Sequence, residues 1–512
     1  MKRKAVIYLR ENILLNLTII ILTAVILLAS ISAAGAQKDK QGIYVSQIEV
    51  NNSEIIPTEE IEAVTSKYKD RMISLDELKQ LVNRINQIYR KRGYITAQAV
   101  LPEQNVNDGI VKIRLIEGKI GQILLQGNED TDDDFILHRI SIDSGDIINV
   151  DSLEDELFYF NVVNSINLKA DLKAGEEFGT TDLVLNVFEP KKVQKSFFVD
   201  NRGRDETGIF RYGINYSNSS LTGNRDSLKV SAFASEGTEG GVLSYSLPIN
   251  RRGGRLNLSY NKNLSDILYG EFESISIEGE YEEYGAGISF PLIVKRGFKV
   301  DGAFEYNNKK SDTYFSGINL LKTDIETYSI TMTTQSVKEN NLFFTTHYLL
   351  QGYADSGNNS YSNSGVSDEF VKYNGYFEKQ NIFNSSMLNL NAYLQLTNNK
   401  LLPSSEQFSL GGMSTVRGFK EGKLTGDQGY YLSAELSRKF ESGREYFVFL
   451  DHGGVFPYKG NEEDIDKDDY LTSTGQGINF SFGRNISAQI IFALPLDKKG
   501  GPRVHFSLQK NW

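Results

Sequence analysis

The sequence predicts a mostly β protein: a sixteen-stranded transmembrane β-barrel preceded by two small α/β modules of β-α-α-β-β order. Three observations carry this. The 512 residues include 27 Tyr, 29 Phe and 45 Gly against 9 Pro and a single Trp, and aromatic residues suit pleated surfaces while Gly serves turns and kinks. Up to about residue 190 helical periodicity appears twice between short strand-like runs. Beyond Pro190 it vanishes, and alternation of period two takes over.

Taken in order, the chain opens with Lys2, Arg3, Lys4 and Arg10, an apolar stretch from Ile13 to Ile31, and Ala34-Gly35-Ala36. A basic start, an apolar run and an A-x-A site read as a secretory signal peptide, residues 1–36, cleaved after Ala36. A retained membrane helix is the alternative, because the run approaches spanning length.

The first module is expected over 43–118. Tyr44 to Val50 alternates as a strand, and Pro57-Thr58-Glu59-Glu60 opens a short helix. Ser74-Leu75-Asp76-Glu77 is a capping box. The helix it starts carries Leu78, Leu81, Val82, Ile85, Ile88 and Tyr89 on one face and stops near Arg92-Gly93. Strands follow at Thr96–Leu101 and Val111–Glu117. The same order repeats over 119–190: strand Ile120–Gln126, helix Asp132–Ile140, helix Asp151–Val162 with Asp151 as its cap, and strands Leu168–Ala174 and Leu183–Phe188.

In the barrel region, 191–512, Phe210, Tyr212, Ile214 and Tyr216 alternate with Arg211, Gly213, Asn215 and Ser217, and similar patterns recur to Val504, Phe506 and Leu508. A large soluble β protein with one wetted face gives the same alternation. A membrane barrel adds segments of about ten residues with alternating short and long connections, and segmentation of the remaining residues yields sixteen. The even count returns the C-terminal Trp512 to the side of the modules.

No cysteine is present, and the four histidines, His138, His347, His452 and His505, are scattered. Thiolate metal sites and zinc spacing are therefore excluded, and no cofactor or metal is expected. A net charge of -11 without a long basic run argues against nucleic acid as a partner. The acidic run Asn461–Asp469 places Asp464, Asp466 and Asp468 as a calcium loop would, but Asp469 stands where the turn Gly belongs and Gly475 where the bidentate Glu belongs; a solvated loop is expected.

One stretch fits none of these elements. Leu410 to Gly422, LGGMSTVRGFKEG, sets Arg417 between Val416 and Gly418-Phe419 after Gly411-Gly412, in the long connection 399–429 between the eleventh and twelfth strands. If that loop folds into the lumen, its arginine needs a carboxylate there. Asp451, which interrupts the apolar run Phe447–Leu450 at the expected end of the thirteenth strand, is a candidate, although a strand-end Asp starting a turn is the simpler reading.

Together, LGGMSTVRGF and FLDHGG resemble the lumenal-loop and strand motifs of the TpsB family, the outer-membrane transporters of two-partner secretion. Tyr89–Tyr94, Ala99–Gln104 and Asp108–Gly118 resemble its first POTRA module, and Asp200-Asn201-Arg202-Gly203 the start of its barrel. The resemblance covers Ile43 to Trp512. It implies two periplasmic POTRA modules that capture an unfolded exoprotein and a barrel that passes it outward. Gly411, Gly412, Val416, Arg417, Gly418 and Phe419 would form the lumenal motif, anchored by Asp451 and Gly453. Implied partners are a secreted TpsA-type β-helical exoprotein, the lipid and lipopolysaccharide of the outer membrane, and the barrel-assembly machinery. The short interval between Ala36 and Ile43 leaves no room for the plug helix of many relatives, so occlusion would rest on the loop. Lys510 stands where the terminal strand of a relative carries an apolar residue. The runner-up function is a factor that inserts other barrels into the membrane. A passive porin would need no such modules, and an enzyme is disfavoured because neither a nucleotide-binding loop nor triad spacing is present.

Overall fold

The computed structural model describes residues 42–106, 108–355, 367–398, 401–441, 443–456, 470–497 and 500–512. The expected signal peptide and the acidic run 461–469 lie outside them. The chain forms two compact units. The first runs to Lys119 and takes in Ile147–Val150 and Glu177–Thr181; the second comprises Ile120–Asp146, Asp151–Glu176 and Asp182–Trp512.

In the first unit, strands β1 (Ile43–Val45), β2 (Gln47–Val50), β3 (Arg71–Ile73), β4 (Gln98–Val100) and β5 (Ile110–Ile116) accompany helices Thr58–Thr65 and Leu75–Lys91. Strand β3 and the 3-10 turn Ser66–Tyr68 were not expected; three-residue elements are too short to show a period. β1 pairs with β3, and a second sheet has the order β2-β5-β4. The Ser74 hydroxyl accepts from the Glu77 amide while the Glu77 carboxylate accepts from the Ser74 amide. That backbone bond, with help from Arg71 and the Ser74 hydroxyl, lowers the Glu77 carboxyl to about 2. The helix buries Leu78, Leu81, Ile85 and Tyr89 against Val111, Ile113 and Leu115. Leu81 is fully buried, so Leu81→Ala should destabilise this unit by about 2–5 kcal/mol. Protease cleavage within 43–118 should then appear at lower denaturant concentration, with the barrel unaffected.

The second unit begins with β6 (Lys119–Gln126), β7 (Asn167–Ala174) and β8 (Thr180–Phe188) in the order β6-β8-β7, with helices Asp133–Leu137 and Val150–Val163. Two expectations change here. Asp132 occupies the N-cap position but makes no capping side-chain bond, and its helix ends at Leu137, short of Ile140. Asp151 lies inside the first turn of its helix instead of preceding it, where its charge still favours the positive end of the helix.

Sixteen antiparallel strands then close into a barrel: β9 (Val193–Asp200), β10 (Arg211–Asn218), β11 (Ser227–Ala234), β12 (Thr238–Pro248), β13 (Arg255–Asp266), β14 (Ile277–Lys295), β15 (Phe298–Phe315), β16 (Ile318–Lys338), β17 (Asn341–Asp355), β18 (Glu369–Phe383), β19 (Ser386–Thr397), β22 (Gln428–Lys439), β23 (Glu445–Phe456), β24 (Tyr470–Phe482), β25 (Ile486–Pro495) and β26 (Arg503–Asn511). β26 closes onto β9 with Ser507 opposite Asp200. The expected alternation decides which face is which. On β23 the outward Val448 and Leu450 are 53% and 51% exposed, whereas the inward Phe449 and Asp451 are 3% and 0% exposed. Strands β14, β15 and β16 span 19, 18 and 21 residues, about twice what a bilayer requires; their hairpins reach beyond it at the barrel end opposite the second module. The barrel-wall turns at the other end rest on the second module. Ser220 Oγ donates to the Asp130 carbonyl at 2.6 Å and Tyr159 Oη to the Arg252 carbonyl at 3.2 Å. Lys510, on the last strand, sets its ammonium 5.1 Å from the Trp512 ring centroid.

Candidate functional site

The connection from β19 to β22 does not stay outside. Its described residues form a 3-10 turn, Ser404–Glu406, and a small hairpin of β20 (Phe408–Leu410) and β21 (Leu424–Gly426), so Leu410, which reads from sequence as loop, ends a strand. Val416 and Phe419 are essentially unexposed and pack with Phe408, Leu410, Val455 and Leu471. Apolar side chains at the loop tip thereby exchange water for the inner wall.

Between them Arg417 turns to the wall. Its Nε and Nη2 donate to the two carboxylate oxygens of Asp451 at 2.7 and 2.9 Å, and its backbone amide reaches the same carboxylate at 3.2 Å. Nη1 donates to Glu435 at 2.7 Å, and Ser433 Oγ donates to Asp451 at 2.7 Å. The guanidinium also lies 3.5 Å over the Phe449 ring. The fork of a guanidinium matches a carboxylate in two parallel bonds, and the aromatic face takes up the cation that remains. Both partners are buried, so the pair is sheltered from water and salt.

Asp451 is not at a strand end, as its neighbours suggested: it is the seventh residue of β23, which continues to Phe456. The strand persists because Asp451, Gly453 and Val455 all face the loop. A side chain at Gly453 would meet the Tyr430 carbonyl at 2.7 Å and the Leu410 side chain at 2.8 Å, so only Gly admits the loop there. Gly411, Gly412 and Gly418 have φ of 106°, 105° and 97°, a region that L side chains avoid. These turns place Arg417 toward β23 while the Gly418 amide approaches His505 Nε2 on β26 at 3.4 Å.

The loop's other attachment escaped sequence reasoning. Glu406 is buried between Lys309 on β15 and Lys372 on β18, each ammonium 2.6 Å from a carboxylate oxygen. Gln395 on β19 holds the Glu406 carbonyl at 3.0 Å. Lysines at inward positions of membrane strands were the available signal; which carboxylate they meet was not, since Pro403-Ser404-Ser405-Glu406 reads as a solvated turn. At its tip Lys420 pairs with Asp205 at 2.8 Å, and Asp205 with Arg503 on β26 at 3.0 Å. The loop therefore bonds to the wall at points from β15 round to β26 and crosses the lumen. Among the described residues no cluster of His, Asp and Glu could hold a metal ion.

Comparison with known proteins agrees with this architecture. The model of the haemolysin secretion/activation protein family ShlB/FhaC/HecB matches residues 179–480, more than half of the chain, and the ShlB-type POTRA domain matches residues 43–118. The chain is 26% identical over 472 residues to the heme/hemopexin transporter protein HuxB of Haemophilus influenzae, covering 88% of this chain and 83% of that protein. The structure of CdiB from Escherichia coli superposes with a TM-score of 0.66 at 20% identity, covering 93% and 92% of the two chains. BamA from Haemophilus ducreyi lacking POTRA domains 1-3 shares the fold with a TM-score of 0.57 at 14% identity, covering 92% of this chain and all of that one. The chain belongs to the haemolysin secretion/activation family, outer-membrane β-barrel transporters of two-partner secretion that carry POTRA modules in the periplasm.

Proposed function

We propose that this chain captures an unfolded exoprotein in the periplasm and conducts it through the barrel to the cell surface, with the Arg417 loop setting the state of the lumen. The observation that carries the reading is the loop itself, fastened across the lumen by Arg417 at one wall and Glu406 at the other. A porin needs no such fastening, and a channel that must widen for a polypeptide needs one that can be rearranged. The partner is a TpsA-type β-helical exoprotein, entering as an extended strand. Strands β6 and β7 are the edges of the second module's sheet, and an edge strand offers unpaired amides and carbonyls to which an incoming segment can add. Folding of the exoprotein outside the cell supplies the direction. The barrel sits among lipid and lipopolysaccharide and reaches the membrane through the barrel-assembly machinery.

Co-expression with its cognate exoprotein tests this. The exoprotein is expected in the medium or on the surface with the intact chain, and in the periplasm without it. Deletion of residues 43–118 should abolish export while the barrel still inserts and migrates anomalously on an unheated gel. Unchanged export after that deletion would remove the first module from the mechanism. Restored insertion of other outer-membrane barrels, with no export, would favour the assembly-factor reading.

A further inference from the structure

The outer wall of the barrel carries a groove with a charged group at its edge, and the strand register shows which way it faces. Directly paired residues of an antiparallel ladder share a face of the sheet. Phe343, Lys379, Leu390, Ala434 and Leu450 are paired in that order across β17, β18, β19, β22 and β23. Leu450 points outward, so all five face lipid. A groove of about 420 Å³ lies between this row and the adjacent outward row of Phe377, Ala392, Leu432 and His452. Phenylalanine and leucine side chains wall it, and Ala392 and Ala434 leave the space between them. Glu378, Asn391 and Ser433 also border it but turn inward: Tyr376 Oη lies 3.0 Å from the Glu378 carboxylate and 3.2 Å from Asn391 Oδ1, and Ser433 Oγ donates to Asp451. His452 is engaged by Tyr430 Oη and Thr472 Oγ1 at 2.8 and 2.9 Å.

Lys379 is the exception. It is exposed, and among the described residues its ammonium makes neither a hydrogen bond nor an ion pair. A lysine facing hydrocarbon is destabilising, by less as it nears the interface. Phe343, opposite it, is the third residue of β17, at the barrel end that rests on the second module, so the long side chain reaches the headgroups of the periplasmic leaflet. Arg438 and Lys510 face lipid toward the same end, and among the described residues they too lack an ion pair. At the opposite end the lipid-facing lysines are compensated. Lys262 pairs with Glu280 at 2.7 Å and Lys322 with Asp324 at 3.6 Å, and Lys310 stands between Glu282 and Asp324. Uncompensated positive charge therefore faces the periplasmic leaflet.

We propose that the groove is a binding site for an anionic phospholipid of that leaflet: one acyl chain lies over Ala392 and Ala434, and Lys379 donates to the headgroup phosphate. The ammonium gains a charge-assisted hydrogen bond where it has none, and the groove falls within the roughly 300–1,000 Å³ usual for small-molecule sites. Lipopolysaccharide is disfavoured because its phosphates lie in the other leaflet. The groove also backs the loop anchorage: Leu432 and Ala434 flank Ser433, and Leu450 and His452 flank Asp451. A seated chain braces the two strands that hold Arg417. The site follows from the barrel's place in the membrane and does not depend on how an exoprotein is conducted.

Lipid titration of the full-length protein in a neutral detergent, read by native mass spectrometry, tests this. The unmodified protein should retain one phosphatidylglycerol in preference to phosphatidylethanolamine with the same chains. Phosphatidylglycerol should also raise the temperature at which the folded band is lost from a gel, as a ligand of the folded state does. Lys379→Gln should weaken its binding about tenfold, as loss of one charged hydrogen bond implies, and Lys379→Arg should keep it. Ala392→Phe, which fills the groove and leaves Lys379 in place, should abolish it. Anomalous migration on an unheated gel identifies variants whose barrel is folded; if Ala392→Phe is not among them, the two Lys379 variants decide. Equal retention of the two lipids, retention of neither, or unchanged phosphatidylglycerol binding in Lys379→Gln or in folded Ala392→Phe would overturn the proposal. So would displacement of phosphatidylglycerol by an equal concentration of lipopolysaccharide, which would mark an outer-leaflet site, or of glycerol phosphate, which would mark a small-anion site that needs no groove.

Discussion

Replacing Arg417 by alanine is expected to reduce export of the co-expressed exoprotein by more than tenfold while the barrel continues to fold and insert. The change leaves Asp451, fully buried, with Ser433 and one backbone amide as its remaining donors. Removing one partner of a buried ion pair costs about 3–5 kcal/mol, and every ~1.4 kcal/mol is a factor of ten in an equilibrium. The docked loop would thus lose at least two orders of magnitude in population relative to undocked arrangements. The sixteen-strand hydrogen-bond ladder does not depend on that pair, so insertion persists. Arg417→Lys should rescue little. A lysine has one ammonium where the arginine places Nε and Nη2 on Asp451 and Nη1 on Glu435, and it cannot present that fork.

The second large effect is expected at Glu406. Glu406→Ala leaves two lysines facing each other with side chains only 12% and 8% exposed, and the loss is again about 3–5 kcal/mol for the broken buried cluster. Here the base of the loop is freed from β15 and β18, while Arg417 still holds its tip to β23. The expected result is a leaky lumen: a rise in single-channel conductance in planar bilayers, and sensitivity of cells to antibiotics too large for the intact outer membrane. Glu406→Gln keeps some hydrogen bonding but removes the carboxylate that the two lysines share, leaving Lys309 with Glu283 at 3.8 Å, and should fall between. Conductance equal to that of the unmodified protein in Glu406→Ala would show that the lysines hold nothing in place.

Much of this architecture was legible because period two is a strong signal where one face meets lipid and the other meets polar contents. The sixteen segments and their order follow from it. Their lengths do not: beyond the bilayer, strands such as β14 to β16 no longer need an apolar face, so their outer ends, including Ile277–Tyr281 and Lys310–Phe315, read as polar loop. β23 shows the opposite difficulty. Asp451, Gly453 and Gly454 are residue types depleted in strands and suggest a stop, yet the strand continues because the loop packs on that face and requires an acid and a gap. Strand β3 was hidden by its brevity, and Asp151 by a helix that starts one residue earlier than its most obvious cap. For the loop, Arg417 and Asp451 stood out as charges placed among apolar neighbours. Glu406, Ser433 and Glu435 did not, since each looks like an ordinary polar residue until the barrel closes around the connection.

The most direct test of the account is a double-mutant cycle on the lumenal pair, read as export of the cognate exoprotein from cells carrying the unmodified chain, Arg417→Ala, Asp451→Ala or both. Two side chains that act as one unit give non-additive effects. The account predicts a large defect in each single variant and a double variant little worse than either, with equal amounts of folded barrel in all four membranes. Defects that add in the double variant, or export at the unmodified level from Arg417→Ala, would contradict it.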